Sequence, residues 1–293
     1  MFQTFSRSLE LAKASLRVLR SDKELLLFPF ISFIALVIVT ISFAVPLWLT
    51  GAITDAADGK INIVGAVIAF LFYLVSYTVT FFFNTALVGA AMIRLEGGDP
   101  TLRDGFRIAM ARLPQILVYA LIAATVGMIL RWINERAGFI GQIIAGVIGF
   151  AWNIATFLVV PVLVVENVGP VDAIKRSASL LRKTWGEQLV GNFGIGLIFG
   201  LLALLALVIG VALIVALVQV STILAIALVV VTALVVGGIA LVGAAASGIF
   251  TASLYRYATK GDPGSAFRGE TVAEAFRSKG GAPSGVATFG GPR

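Results

Sequence analysis

The chain has 293 residues, of which 59% are hydrophobic and only 13% charged, with a mean hydropathy of +1.02 and a formal net charge of +7. Soluble domains carry about 25% charged residues. This composition cannot cover a water-soluble core with polar groups, so soluble globular, disordered and fibrous classes give way to a polytopic membrane protein. Cys and His are both absent, which removes disulfides, thiolate nucleophiles, Cys-ligated metals and the commonest general base.

The first element is amphipathic. Phe2, Phe5, Leu9, Ala12 and Leu16 recur at alternating spacings of 3 and 4 residues, which places them on one helical stripe. An apolar run over 25–49 follows. It is too long for a signal-peptide core of about 7–15 residues and has no small-residue cleavage site. Further uncharged runs cover 61–93, 116–130, 140–165, 189–218 and 223–254. A span needs roughly 20 apolar residues; the third run reaches that only with Leu113 and Trp132 at its ends. The last two runs are separated by residues 219–222 alone, which predicts a tight hairpin. The runs are continuous rather than alternating, which argues against a β-barrel.

Lys and Arg divide unevenly between the connections. The N-terminal segment holds five, the second connection four, the fourth connection four and the tail six, against Lys60, Arg131 and Arg136 on the other side, or 19 against 3. The positive-inside rule then predicts six spans with both termini cytoplasmic.

A unit recurs. Val171, Ile174, Ala178, Leu181 and Trp185 repeat the spacing of the N-terminal stripe, and superposing the two aligns Arg7-Ser8 with Arg176-Ser177. A looser copy runs through Leu102, Phe106, Ala109 and Leu113, with Asp104 before Phe106 as Asp172 is before Ile174. The predicted fold is all-α: a membrane bundle of six transmembrane helices in three hairpins, each preceded by a basic amphipathic interfacial helix. The apolar stripes then lie at the headgroup boundary or on the bundle. The cations Arg7, Arg17, Arg103, Arg107, Lys175, Arg176, Arg182 and Lys183 are candidate contacts to anionic lipid headgroups, each adding roughly 1 kcal/mol. Two regions are expected: a transmembrane helical domain over 1–258 and a disordered Gly-rich cytoplasmic tail over 259–293. Within the tail, Phe267, Val272 and Phe276 form a stretch able to dock, although an idle tail is the plainer reading.

No Asp, Glu, Lys or Arg lies inside the six runs. Proton-coupled pumps, voltage sensors and intramembrane Asp proteases need such groups, so catalytic residues, metal ligands and cofactors are all expected to be absent. Glu24, Glu96, Asp99, Asp104, Glu166, Asp172 and Glu187 are dispersed beside basic residues and read as solvated helix ends. Uncharged polar residues remain. Burying an unpaired amide in lipid costs several kcal/mol, so Asn84 and Asn153 must face protein or water. With Thr80 and Thr156 they either line one candidate polar cavity or hydrogen-bond between helices, at about 0.6 kcal/mol each. Gly196 with Gly200, Gly141 with Ala145 and Gly149, and Ala244 with Gly248 offer small faces for close helix packing. Pro29, Pro46 and Pro161 are expected to kink or end helices.

Several motifs occur in order: Asp22-Lys23-Glu24-Leu25-Leu26-Leu27-Phe28-Pro29, then Trp152-Asn153-Ile154-Ala155-Thr156-Phe157, Pro161-Val162, Glu166, Ala173-Ile174-Lys175-Arg176-Ser177 and Trp185-Gly186-Glu187. Over roughly residues 1–258 the chain resembles a family of prokaryotic six-span integral membrane proteins of unknown function. That family is distantly similar to the membrane domain attached to some glycerophosphoryl diester phosphodiesterases. The resemblance implies a multi-pass protein of the plasma (inner) membrane. It brings no activity, because the phosphodiesterase's catalytic domain is missing. The expected function is a non-enzymatic scaffold or accessory subunit. Its expected partners are anionic membrane lipids and a protein partner or a second copy of the chain, with no nucleic acid. The alternative is a carrier or channel for a neutral or amphipathic solute such as a lipid.

Overall fold

A computed structural model of the chain describes residues 2–51, 63–136, 138–185, 194–218, 220–267 and 272. Among these there is no strand. In hydrocarbon every backbone N–H and C=O must be satisfied within the protein, and long apolar runs do so as helices. In chain order the helices are α1 (Phe2–Ser21), α2 (Leu27–Leu49), α3 (Ile63–Leu95), α4 (Leu102–Ala111), α5 (Leu113–Arg136), α6 (Gly138–Thr156), α7 (Val159–Glu166), α8 (Pro170–Trp185), α9 (Gly194–Val218) and α10 (Thr222–Lys260), with a 3₁₀ turn over Lys23–Leu26. Six helical stretches are long and apolar enough to cross a membrane. The fourth is α6 and α7 taken together.

Each of the three amphipathic helices buries part of its apolar face on the bundle. Leu11, Ala12, Val18 and Leu19 of α1 are buried, as are Ala109 of α4 and Ala173, Leu180 and Leu181 of α8. Their docking partners follow a cyclic order. Helix α4, which precedes the second hairpin, packs on α3 of the first; α8, which precedes the third, packs on α5, α6 and α7 of the second; α1, which precedes the first, packs on α9 and α10 of the third. Each amphipathic helix thus seals the base of the hairpin before it, and α1 closes the ring.

Side-chain ties place all of these connections at one end. The Glu24 carboxylate accepts from the Leu102 amide at 2.9 Å. Arg112 donates to the Asn167 side chain and to the Val164 carbonyl. Arg256 lies 3.1 Å from Glu96 and 2.7 Å from Asp262, and Lys260 lies 3.0 Å from Glu96. Several acids that read as solvated helix ends therefore tie elements together. Thr101 and Asp104 also form a reciprocal capping box on α4, which satisfies two amide donors otherwise left open at a helix start.

Close helix approach occurs at glycines, but not at the pair Gly196 and Gly200. A Cβ on either would meet nothing within 4 Å, whereas one on Gly105 would lie 2.4 Å from the Phe28 ring and 2.9 Å from the Ala86 carbonyl oxygen. Gly105 lets α4 settle against α3 beneath Phe28, and Phe106 beside it reaches Phe28, Phe82 and Phe83 at ring-centroid distances of 5.8, 6.1 and 5.9 Å. Gly248 brings α10 onto Leu87 of α3 in the same way.

The sixth span continues to Lys260, six residues past its expected end at 254, and closes on Gly261 in the left-handed region at φ +72. The chain then folds back. Ser253 donates to the Pro263 carbonyl at 2.8 Å, and Phe267 and Val272 join the hydrophobic core. These two residues, assigned from composition to a disordered tail, are buried; Phe276 and the rest of 268–293 apart from Val272 lie outside the described residues.

Asp22 caps the 3₁₀ turn through one carboxylate oxygen, which accepts from the Glu24 amide at 3.2 Å. The other oxygen is buried without a hydrogen-bond partner. Desolvation raises the Asp22 pKa above 3.8, against the lowering effects of the Glu24 amide and Arg94. A carboxyl whose folded pKa lies above its unfolded one penalises the fold above the folded value and not below the unfolded one. Asp22→Asn keeps the cap acceptor and removes the buried charge. It is expected to raise the melting temperature at pH 7, and the gain is expected to vanish as the pH falls through the raised pKa toward 3.8. Melting curves of both proteins at pH 7 and pH 4 check this.

Candidate functional site

The fourth span breaks at Phe157 and Leu158. Pro161, in the first turn of α7, has no N–H to continue the helical ladder. The Leu158 amide, which would otherwise be stranded in an apolar interior, donates to the Ser177 hydroxyl at 3.0 Å, and Ser177 is fully buried. The amphipathic helix α8 therefore supports the break from below. Irregular backbone at membrane depth is tolerated where it is buried in protein or lines a cavity, and here it lines one.

A cleft of about 500 Å³ opens at the break, lined by Phe81 and Asn84 of α3, Tyr119 of α5, Phe150, Asn153 and Thr156 of α6, Phe157, Val160 of α7 and Thr251 of α10. Three of the four residues expected to share a polar cavity, Asn84, Asn153 and Thr156, meet in it. The fourth, Thr80, does not. It lies one turn up α3, donates to the Ser76 carbonyl at 2.8 Å, and lines the neighbouring groove instead. Thr80 and Asn84, one turn apart, share that groove, but only Asn84 also reaches the cleft.

That groove, of about 480 Å³, runs between α2, α3 and α10 and is mostly apolar, with Phe33, Leu36, Phe83 and Leu241 among its walls. Asn84 and Thr251 line both cavities. The pair sits at the α3–α10 seam, where Gly248 has no side chain to push the helices apart. The two cavities thus adjoin at this pair, the cleft on the α6 side being the more polar and the groove on the α2 side the more apolar.

Sequence reasoning missed Tyr119 and Thr251. Tyr119 is buried in an aliphatic stretch of α5, packs against Phe81 at a tilt with ring centroids 4.4 Å apart, and lies within hydrogen-bonding reach of Thr156. A lone Tyr in an aliphatic span and a Thr among small residues are visible signals, but the pairing of α5 and α10 with α6 is not.

Below the cleft a clasp joins three elements. Arg176 of α8 donates to both Glu166 oxygens at 3.0 and 3.1 Å, and the Tyr255 hydroxyl donates to Glu166 at 3.0 Å. Arg176, itself 44% exposed, is thereby tied to Glu166 through its Nε. Of the other candidate headgroup contacts, Arg107 pairs with Asp104 at 2.8 Å and Lys175 with Asp172 at 3.6 Å. Arg17, Arg103, Arg182 and Lys183 are exposed. The Arg7 side chain lies outside the described residues. Among the described residues no group of His, Cys, Asp and Glu is placed to hold a metal ion.

The sequence model of a family of unknown function (DUF6159) matches residues 63–266. No curated protein and no solved structure matches the chain, so the resemblance to a phosphodiesterase membrane domain finds no counterpart there.

Proposed function

We propose that this chain, which belongs to that family of unknown function, binds an amphipathic molecule of the membrane as the holding step of a lipid carrier. One observation carries the reading: a cleft at a broken helix, lined by Asn84, Asn153 and Thr156 among aromatic rings, and a more apolar groove share Asn84 and Thr251. A polar head and a hydrocarbon tail have opposite solvation needs, and each finds its own compartment on either side of that seam.

The cations carry a second reading, an accessory role at an anionic membrane surface. Arg103, Arg182 and Lys183 are exposed and form no ion pair among the described residues. Their side of the bundle is the cytoplasmic one under the positive-inside rule, in a plasma membrane. Both readings are non-enzymatic, and a protein partner or second copy is compatible with either.

Mass spectrometry of lipids retained by the purified protein tests the leading reading. The wild type is expected to retain one lipid class enriched over the bulk membrane. Asn84→Leu with Thr251→Val is expected to retain it ~10-fold less, as the loss of about two hydrogen bonds implies. Bulk lipid composition in both proteins would sink it.

A further inference from the structure

Both cavities lie well inside the helix ends and carry no charge. Asn84 sits 11 residues before the end of α3 at Leu95, ~16 Å along the helix axis, and Thr251 nine residues before the end of α10 at Lys260, ~14 Å. Neither cavity is lined by any charged side chain. Three cations at the basic end are engaged by the protein itself: Arg176 by Glu166, Arg256 by Glu96 and Asp262, and Arg112 by Asn167 and the Val164 carbonyl. A phosphate drawn to the level of Asn84 would lose its water and meet no counter-charge, which is prohibitive at that depth. Amides and hydroxyls behave differently. The Asn84 and Asn153 amides offer donors and acceptors together, while the Thr251 hydroxyl, which donates to the Ser247 carbonyl at 2.8 Å, still accepts. That set complements a hydroxyl and an ester carbonyl, which also cost little to desolvate when bonded. The apolar groove has about the volume of one long acyl chain.

We infer that the occupant of these two adjoining cavities is an uncharged acylglycerol, whose glycerol hydroxyl and ester groups bond to Asn84, Asn153 and Thr251 while an acyl chain fills the groove, and that phospholipids are excluded. The inference rests on the proposed lipid-binding function and narrows it to one class. Selectivity arises from what the cavities lack: with no cation present, rejecting an anionic head needs no clash.

The test uses the full chain in neutral detergent, with dioleoylglycerol or dioleoylphosphatidylglycerol added at equal concentration and adducts counted by native mass spectrometry. Dioleoylglycerol adducts are expected to exceed phosphatidylglycerol adducts about 10-fold and to fall about 10-fold in Asn84→Leu. Arg103→Ala, at the surface, is expected to leave them unchanged. If Asn84→Leu does not fold, Thr251→Val is read in its place, together with displacement of bound dioleoylglycerol by excess phosphatidylglycerol, which is expected to fail. Phosphatidylglycerol adducts that equal or exceed the acylglycerol and still depend on Asn84 would overturn the acylglycerol class and leave the lipid-binding function standing. Adducts of neither lipid that respond to Asn84 or Thr251 would overturn both.

Discussion

Gly105→Ala is expected to destabilise the bundle by about 1–3 kcal/mol, the usual cost of forcing extra volume into a packed contact. A methyl group there would meet the Phe28 ring at 2.4 Å and the Ala86 carbonyl oxygen at 2.9 Å. The ring can tilt, but the carbonyl belongs to the backbone of α3, so α4 itself must lift. Phe106 then loses its place against Phe28, Phe82 and Phe83. Gly196→Ala and Gly200→Ala form the control, because both positions face open space. At these sites Ala gains helix propensity of up to about 1 kcal/mol at no steric cost. Thermal melts in one detergent check the ordering. Equal melting temperatures for Gly105→Ala and Gly196→Ala would show that α4 does not dock as described.

The second large effect is expected at Arg256. Its side chain is 8% exposed and held between Glu96 and Asp262, themselves 53% and 62% exposed. Stripping the partners from a buried charge costs about 3–5 kcal/mol when the pair is fully buried. Here the acids are half in water, and roughly 1–3 kcal/mol is expected for Glu96→Ala with Asp262→Ala. Arg256→Met, which removes the charge and keeps the volume, is expected to cost less than the double acid variant. The reverse ordering would mean the guanidinium is not effectively buried. The Gly264 amide and then Arg256 hold the Asp262 carboxyl below 3.8, so its contribution is present above that value and is lost as the pH falls through the depressed pKa. Hydrogen exchange over 261–267 reports release of this segment: protection is expected to fall in the double acid variant.

The fold-back after Gly261 explains why composition ends the bundle too early. Gly261, Pro263 and Gly264 read as the start of a disordered tail, because composition registers their poor helix propensity and nothing else. The structure uses the same residues to turn the chain. Gly264 takes φ +94 beside Leu95, which lets Phe267 reach the core. A one-dimensional reading sees that a helix stops. It does not see the apolar surface onto which Phe267 and Val272 fold.

Six spans, the side on which the cations gather and the threefold recurrence of an amphipathic helix before a hairpin were all determined by the sequence. Each depends on solvation of a residue and its near neighbours: hydrocarbon admits long uncharged helices, and a stripe at spacings of 3 and 4 needs something apolar to lie on. Tertiary structure alone decided what those stripes lie on. Each amphipathic helix covers the preceding hairpin, α1 closes the ring on α9 and α10, and Ser177 comes under the break at Leu158. The same holds for the two cavities. Asn84, Asn153 and Thr156 announced themselves by the cost of burying polar groups, but Tyr119 and Thr251 joined them in the cleft, and Thr80 lined the adjoining groove instead, through the rotation and pairing of helices far apart in the chain. Long-range packing sets those angles, and no local pattern encodes them.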